Sequence, residues 1–237
     1  EGLTICNEVL SADNNSDNAY VFGSPLDKKR TIRGTIPRNR KAFTIKAAIH
    51  QPEEILAEEF LNHLAKNGVF ISGKIRFEKV DQKDFKTLFI QESPTLAEIT
   101  KVLNYESVNL FAEHFLKQIA VEKNGVGNRE AGIQIVKDFW ESKGVSTESL
   151  FMEDGSGLSH FNAVSPNFFT EVLTEMYKNE SFVNSLPGAG KGTLSHFDKN
   201  LFPQKTLQAK SGSMTRVRCY SGYLKCDSGK EVAFSIM

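Results

Sequence analysis

A chain of 237 residues is long enough for one large domain or two ordinary ones with a real hydrophobic core. Hydrophobic residues make up 40% and charged residues 24%, the composition of an ordinary globular protein. Lys+Arg and Asp+Glu both number 29, so the totals give no strongly basic face for nucleic acid, and no apolar run approaches the roughly 20 residues of a membrane-spanning helix.

The chain opens on Glu1-Gly2-Leu3 rather than on Met and a basic segment, and the first residues already read as a strand. It stops inside the apolar run "EVAFSIM", so it is expected to be a piece of a longer protein. From residue 1 to about 84 the pattern is β-rich with one helix. The polar stretch 11–20 reads as a loop or hairpin turn. "TIRGTIP" and "AFTIKAAI" carry the alternation and β-branched residues of strands, punctuated by Gly34 and Pro37. Residues 51–68 put Ile55, Leu56, Phe60, Leu61 and Leu64 on one helical face, closed by Gly68. "VFISGKIRFEKV" follows as one or two strands. The basic clusters Lys28-Lys29-Arg30 and Arg38-Asn39-Arg40-Lys41 read as solvated faces.

From Ser93 the pattern turns helical, with Ser93 as a cap and Pro94 at the first helical position. Amphipathic helices are expected over 107–123, 128–144 and 165–179. The last forty residues return to strand in three segments, with "CDSGK" as the turn between the final two. Helices in the middle and an antiparallel meander at the end make the fold class α+β.

Residues 185–193, "SLPGAGKGT", resemble a phosphate-binding loop, which needs G-x-x-x-x-G-K-[ST] between a buried strand and a helix. Ser185 stands where the first glycine should be, Gly192 follows the lysine, and the polar segment before it makes a poor buried strand. The stretch reads as a Gly-rich surface turn with Lys191 in solvent. Cys6, Cys219 and Cys226 lack metal or redox spacing and read as buried free thiols. His50, His63, His114, His160 and His196 show no metal-ligand spacing and read as surface or capping residues, so no metal or other cofactor is expected. Trp140 and the aromatics of 161–169 read as core or cleft lining.

"QAKSGSMT" (208–215) ends a strand in Lys210-Ser211-Gly212-Ser213. Such an edge offers a fixed ammonium, two hydroxyls and a backbone N–H to an extended peptide, with Gly212 keeping the approach open. Ser-x-Asn occurs three times. Ser16-Asp17-Asn18 lies in a polar turn, and Ser165-Pro166-Asn167 reads as a helix N-cap. Ser107-Val108-Asn109 stands between two helices, where side chains can project into a cleft.

The blocks "SPTLAEITKVLNYESVNLFAEHFLKQIA", "EDGSGLSHFNAVSP", "LPGAGKGTL" and "AKSGSMTRVRCYSGYL", in this order and spacing, resemble the class C low-molecular-mass penicillin-binding proteins. These are the D-alanyl-D-alanine carboxypeptidase/endopeptidases of peptidase family S13. The resemblance covers about 93–237, and "AAIHQPEEILAEEFLNHLAKNGVFISGKI" resembles the end of the family's inserted accessory region. It implies a β-rich accessory part over 1–84 and, over 85–237, the C-terminal part of a DD-peptidase/β-lactamase-like domain with helices packed on an antiparallel sheet. It further implies that Ser107 relays protons between the nucleophile's lysine base and the leaving amine. Asn109 would bind the substrate's acyl amide and help hold that lysine. Lys210 would supply positive field to Ser107 and to the substrate carboxylate, which Ser211 and Ser213 would bind. The Ser213 N–H would form half of an oxyanion hole. The substrate implied is the peptidoglycan stem peptide in the cell envelope, with β-lactams as inhibitors of the complete protein.

The acylating Ser-x-x-Lys is missing: no serine has a lysine three residues on. In the family it lies upstream of the accessory insertion, so this chain would hold two of three motifs and not acylate. Asp154-Gly155-Ser156-Gly157-Leu158-Ser159 matches a family block and reads as a structural turn framing the site. Two other readings are a non-catalytic envelope module that binds peptidoglycan peptides and, on the letters of 185–193 alone, a nucleotide-binding protein.

Overall fold

The computed structural model describes residues 3–13, 15, 17–78, 86–203, 206–214 and 216–237. The chain divides into two compact units, 1–87 and 88–237. The boundary expected between residues 84 and 85 lies outside the described residues, as does Ser16 of the first Ser-x-Asn.

In the first unit β1 (Thr4–Ala12), β2 (Asn18–Phe22) and β3 (Lys29–Pro37) form a sheet in the order β1-β3-β2. β3 runs parallel to β1 and antiparallel to β2. The polar stretch 11–20 therefore links two strands that are not neighbours, rather than closing a hairpin between them. Glu8 and Arg33 lie opposite each other, with Nε–Oε2 at 2.6 Å. The Arg33 hydrogen bond holds the Glu8 carboxyl below its usual range. Helix α1 (Pro52–Lys66) starts with Pro at its first turn and with Glu53 and Glu54 against the positive end of its dipole. Strands expected at 42–49 and 69–80 are not found: residues 43–49 and 69–78 form no ladder, and 79–80 lie outside the described residues. β-branched residues fit a pleated surface, but a strand exists only against a partner strand. Arg30 departs from its solvated cluster. It is buried, its guanidinium bonding the Asp27 and Lys29 carbonyls of its own turn.

The second unit runs through α2 (Leu96–Glu106), α3 (Asn109–Asn124), α4 (Arg129–Ser142), a two-residue pair β4 (Leu150–Phe151) with β5 (Ala163–Val164), α5 (Pro166–Met176) and α6 (Glu180–Ser185). An antiparallel sheet of β6 (Leu207–Met214), β7 (Val217–Lys225) and β8 (Glu231–Ile236) closes it. This is the expected α+β arrangement. The cap of α2 is Thr95, not Ser93. Thr95 Oγ1 accepts the Glu98 N–H while the Glu98 carboxylate accepts the Thr95 N–H, a capping box that outcompetes a lone serine. Ser165 caps α5 as expected, accepting the Phe168 N–H.

The sheet has two faces, set by the alternation of its side chains. Gln208, Lys210, Ser221, Tyr223 and Ala233 share the face toward the helices, as the register and the Tyr223 contacts establish. There Tyr223 packs with Leu173 and Leu186, donates to the Leu173 carbonyl at 2.6 Å, and is pushed up to about 12 by burial. On the other face Leu207 and Ala209 pack with Leu194, Phe197 and Phe202. A third cluster gathers Val145, Leu150 and Phe168 with Trp140 against it. Phe161, expected in the core or cleft, is 81% exposed. Asn162 takes the inward place beside it, bonding Asp154 and the Ser159 carbonyl. The three cysteines are free but only half-buried, and His50, expected as a surface or capping residue, is buried before α1.

Gly222 is a packing requirement of this sheet, since a Cβ there would stand 2.2 Å from the Gln208 carbonyl oxygen and 2.5 Å from Ala209 Cα. Gly222→Ala is therefore expected to cost about 2 kcal/mol or more in denaturant unfolding. An unchanged midpoint would contradict the packing of β6 on β7.

Candidate active site

Helix α2 ends on Ser107, which takes the left-handed conformation (φ 53°, ψ 53°) and donates its N–H to the Leu103 carbonyl. A left-handed non-glycine residue is strained by about 1 kcal/mol or more and persists only where its surroundings hold it. The turn ends α2 and lets α3 start two residues later, leaving Ser107 exposed at the junction. Lys210 reaches the same place from β6, with its Nζ donating to Ser107 Oγ at 3.0 Å. A second bond from Nζ to the Ser211 carbonyl holds the side chain along its own strand. No carboxylate among the described residues forms an ion pair with it. Burial, with no compensating counter-charge, pushes the Lys210 ammonium below the ordinary lysine range.

The neighbouring strand edge is partly occupied. Ala209 donates its N–H to the Pro187 carbonyl at 3.0 Å, and Gly188 bridges Gln208. Ser211 N–H points the same way, 3.4 Å from Thr193 Oγ1. By the period-two alternation of the ladder the Ser213 N–H faces that edge as well, past the end of the loop. Gly212 has open space above it: a Cβ would meet nothing within 4 Å. The Ser211 hydroxyl is already donated to the Thr193 carbonyl at 3.1 Å, so it must turn before it can serve an anion. Asn109, in the first turn of α3, is exposed and its side chain makes no hydrogen bond among the described residues. The structure thus brings Ser107 and Lys210 together, sets Ser211, Gly212 and Ser213 along one edge, and leaves Asn109 free beside them. Sequence reasoning missed Thr193 as a direct neighbour of the site. Its signal was the "GTL" of the glycine-rich block.

Asp154 organises the loop of 154–159. Desolvation alone would raise its pKa, but the N–H groups of Ser159 (2.6 Å) and Gly157 (2.6 Å) and the Asn162 amide (3.1 Å) hold it below the usual range. Ser156 N–H bonds Glu113 on α3 at 2.9 Å. These bonds make the loop a structural turn against the helix that begins at the site. A helix, α6, and not a strand leads into the glycine-rich stretch, which closes in a three-residue 3-10 turn (Gly192–Leu194). Lys191 is exposed. No cluster of three or more His, Cys, Asp or Glu side chains suited to a metal occurs among the described residues.

An antiparallel sheet whose edge lysine meets a serine at a helix junction belongs to a known fold. The chain superposes on penicillin-binding protein 4 (dacB) of Haemophilus influenzae, solved in complex with a β-lactam, with a TM-score of 0.74 at 24% identity, covering 98% of this chain and 56% of that one. The D-Ala-D-Ala carboxypeptidase 3 (S13) family matches residues 5–237, and the chain belongs to that family. Among curated relatives it is 29% identical to a D-alanyl-D-alanine carboxypeptidase of Actinomadura sp. (strain R39), over 98% of this chain and 45% of that protein. It is 27% identical to D-alanyl-D-alanine carboxypeptidase DacB of Haemophilus influenzae, over 86% of this chain and 44% of that protein. The chain thus spans a little under half the length of these curated relatives.

The burial of Lys210 yields a test by 13Cε-lysine NMR on the protein. One resonance should titrate below the ordinary lysine value of about 10.4 and vanish in Lys210→Met. Because the folded pKa is lowered, folding binds fewer protons between the folded and the ordinary value, and stability contributed by this site rises with pH across that window. Lys210→Met should therefore be stabilising at neutral pH, with the gain shrinking as pH rises through that window and gone above the ordinary lysine value. An ordinary titration would contradict the desolvated site.

Proposed function

We propose that this chain is the part of a serine-type D-Ala-D-Ala carboxypeptidase/endopeptidase that supplies the second and third motifs of the site, acting on peptidoglycan stem peptides in the cell envelope. The observation that carries the reading is the 3.0 Å contact between Lys210 Nζ and Ser107 Oγ, beside a strand edge left open at Gly212. In this reading a stem peptide lies along the β6 edge as an added strand. Lys210 attracts its terminal carboxylate, and the hydroxyls of Ser213 and of Ser211, once turned from Thr193, donate to that carboxylate. The Ser213 N–H stabilises the oxyanion, and Asn109, with its amide unengaged, bonds the acyl side of the substrate.

The nucleophile is a serine with a lysine three residues on, in the part of the protein outside these 237 residues. Its hydroxyl proton goes to that lysine as the acyl–serine bond forms. Ser107, hydrogen-bonded to Lys210, takes that proton from the nucleophile's lysine as it gives its own to the departing D-alanine amine and the peptide bond breaks. A fixed positive charge at Lys210 keeps the Ser107 oxygen oriented and eases transient negative charge on it.

The test is covalent labelling of the full-length protein by a fluorescent penicillin. Label is expected on the wild type, with a drop of about a hundredfold or more in labelling rate for Lys210→Ala and Ser107→Ala. A full-length wild type that takes no label would remove the enzymatic reading and leave peptide binding without cleavage.

A further inference from the structure

Asn104 lies on α2 one turn before Ser107 and is 8% exposed, a polar side chain on the helix's inward side among half-buried Ile99, Thr100, Leu103 and Tyr105. Its amide donates to Ser185 Oγ at 2.7 Å, and Ser185, 1% exposed, donates in turn to the Phe182 carbonyl at 2.6 Å. Ser185 is the last residue of α6, and the chain beyond it runs directly onto the site strand. Pro187 accepts the Ala209 N–H, Gly188 bridges Gln208, and Thr193 accepts the Ser211 hydroxyl. The α6 backbone is tied to β6 as well, since Gln208 Nε2 donates to the Val183 carbonyl at 2.9 Å. Gly192 then comes back against α2: a Cβ there would stand 2.8 Å from the Tyr105 carbonyl oxygen.

We propose that Asn104, acting through Ser185, is a positioning residue that sets the spacing between Ser107 and Lys210. Residues 185–193 form a spacer packed between the last turn of α2, touched by Ser185 and Gly192, and β6, touched by Pro187, Gly188 and Thr193. Ser107 and Lys210 sit on the two elements that this spacer joins. The strained left-handed turn at Ser107 has to be held by its surroundings, and the buried Asn104–Ser185 bond fixes the turn that precedes it. Removing Ser185 leaves the buried Asn104 amide unpaired, removing Asn104 leaves Ser185 bonded to Phe182 alone, and either change frees α2 to shift against β6. A misplacement of about 1 Å is enough to cost a reaction up to about a hundredfold.

This inference rests on the functional reading above, and the experiment separates the two. In the full-length protein, the acylation rate constant by a penicillin is resolved from its non-covalent binding constant and normalised to titrated active sites, alongside the melting temperature. Asn104→Ala and Ser185→Ala are each expected to slow acylation by about tenfold or more, with non-covalent binding within about twofold. The double variant should lose little beyond the worse single one, because both substitutions break one bond. Should either variant fail to fold, Gly192→Ala perturbs the same junction from the spacer side and should slow acylation in the same way. Folded variants that melt earlier but acylate at the wild-type rate would overturn the positioning role and leave the functional reading intact. A wild type that takes no label would overturn both.

Discussion

The contact between Lys210 and Ser107 joins residues 103 positions apart, and the architecture of the second unit answers to it. A lysine midway along a strand and a serine at the end of a helix meet only if helix and strand are held at fixed distance and angle. Three features do this. The capping box at Thr95 fixes where α2 begins, the left-handed Ser107 fixes where it ends, and residues 185–193 tie its last turn to β6. Burial of the lysine follows from the same packing, and it gives the ammonium a stronger electrostatic hold on Ser107 than it would have in water.

The glycine-rich stretch thereby acquires a role different from the one its letters suggest. In a phosphate-binding loop the glycines let backbone N–H groups converge on an anion between a strand and a helix. Here they let the chain lie flat between two protein surfaces. Gly188 pairs with a strand, Gly190 turns with φ 73°, and Gly192 passes under a helix carbonyl. The lysine between them points into solvent, whereas Lys210, in a plainer setting, takes a half-buried position beside a serine.

Much of this was legible in the sequence. Helix periods and caps located α1, α3, α4 and α5, and the three C-terminal strands with their turn were readable from alternation and from Gly229. The Ser107 junction was legible because one amphipathic pattern ends and another begins there. Less visible were features that depend on distant partners. Segments 42–49 and 69–78 have the residues of strands, yet strand formation is decided by a neighbour and not by the segment itself. The Asn104–Ser185 bond spans 81 positions, and no spacing in the sequence links the two residues. Its one local sign was an asparagine on the inward side of an amphipathic helix, a position that demands a partner without naming it.

The central claim is that these residues assemble two motifs around a nucleophile carried elsewhere in the protein. Peptide mapping by mass spectrometry of the full-length protein after reaction with penicillin tests it most directly. The account predicts a single penicilloyl adduct on a serine followed three residues later by lysine, outside the 237 residues described, with Ser107, Ser211 and Ser213 unmodified. An adduct on Ser107, Ser211 or Ser213 would contradict it.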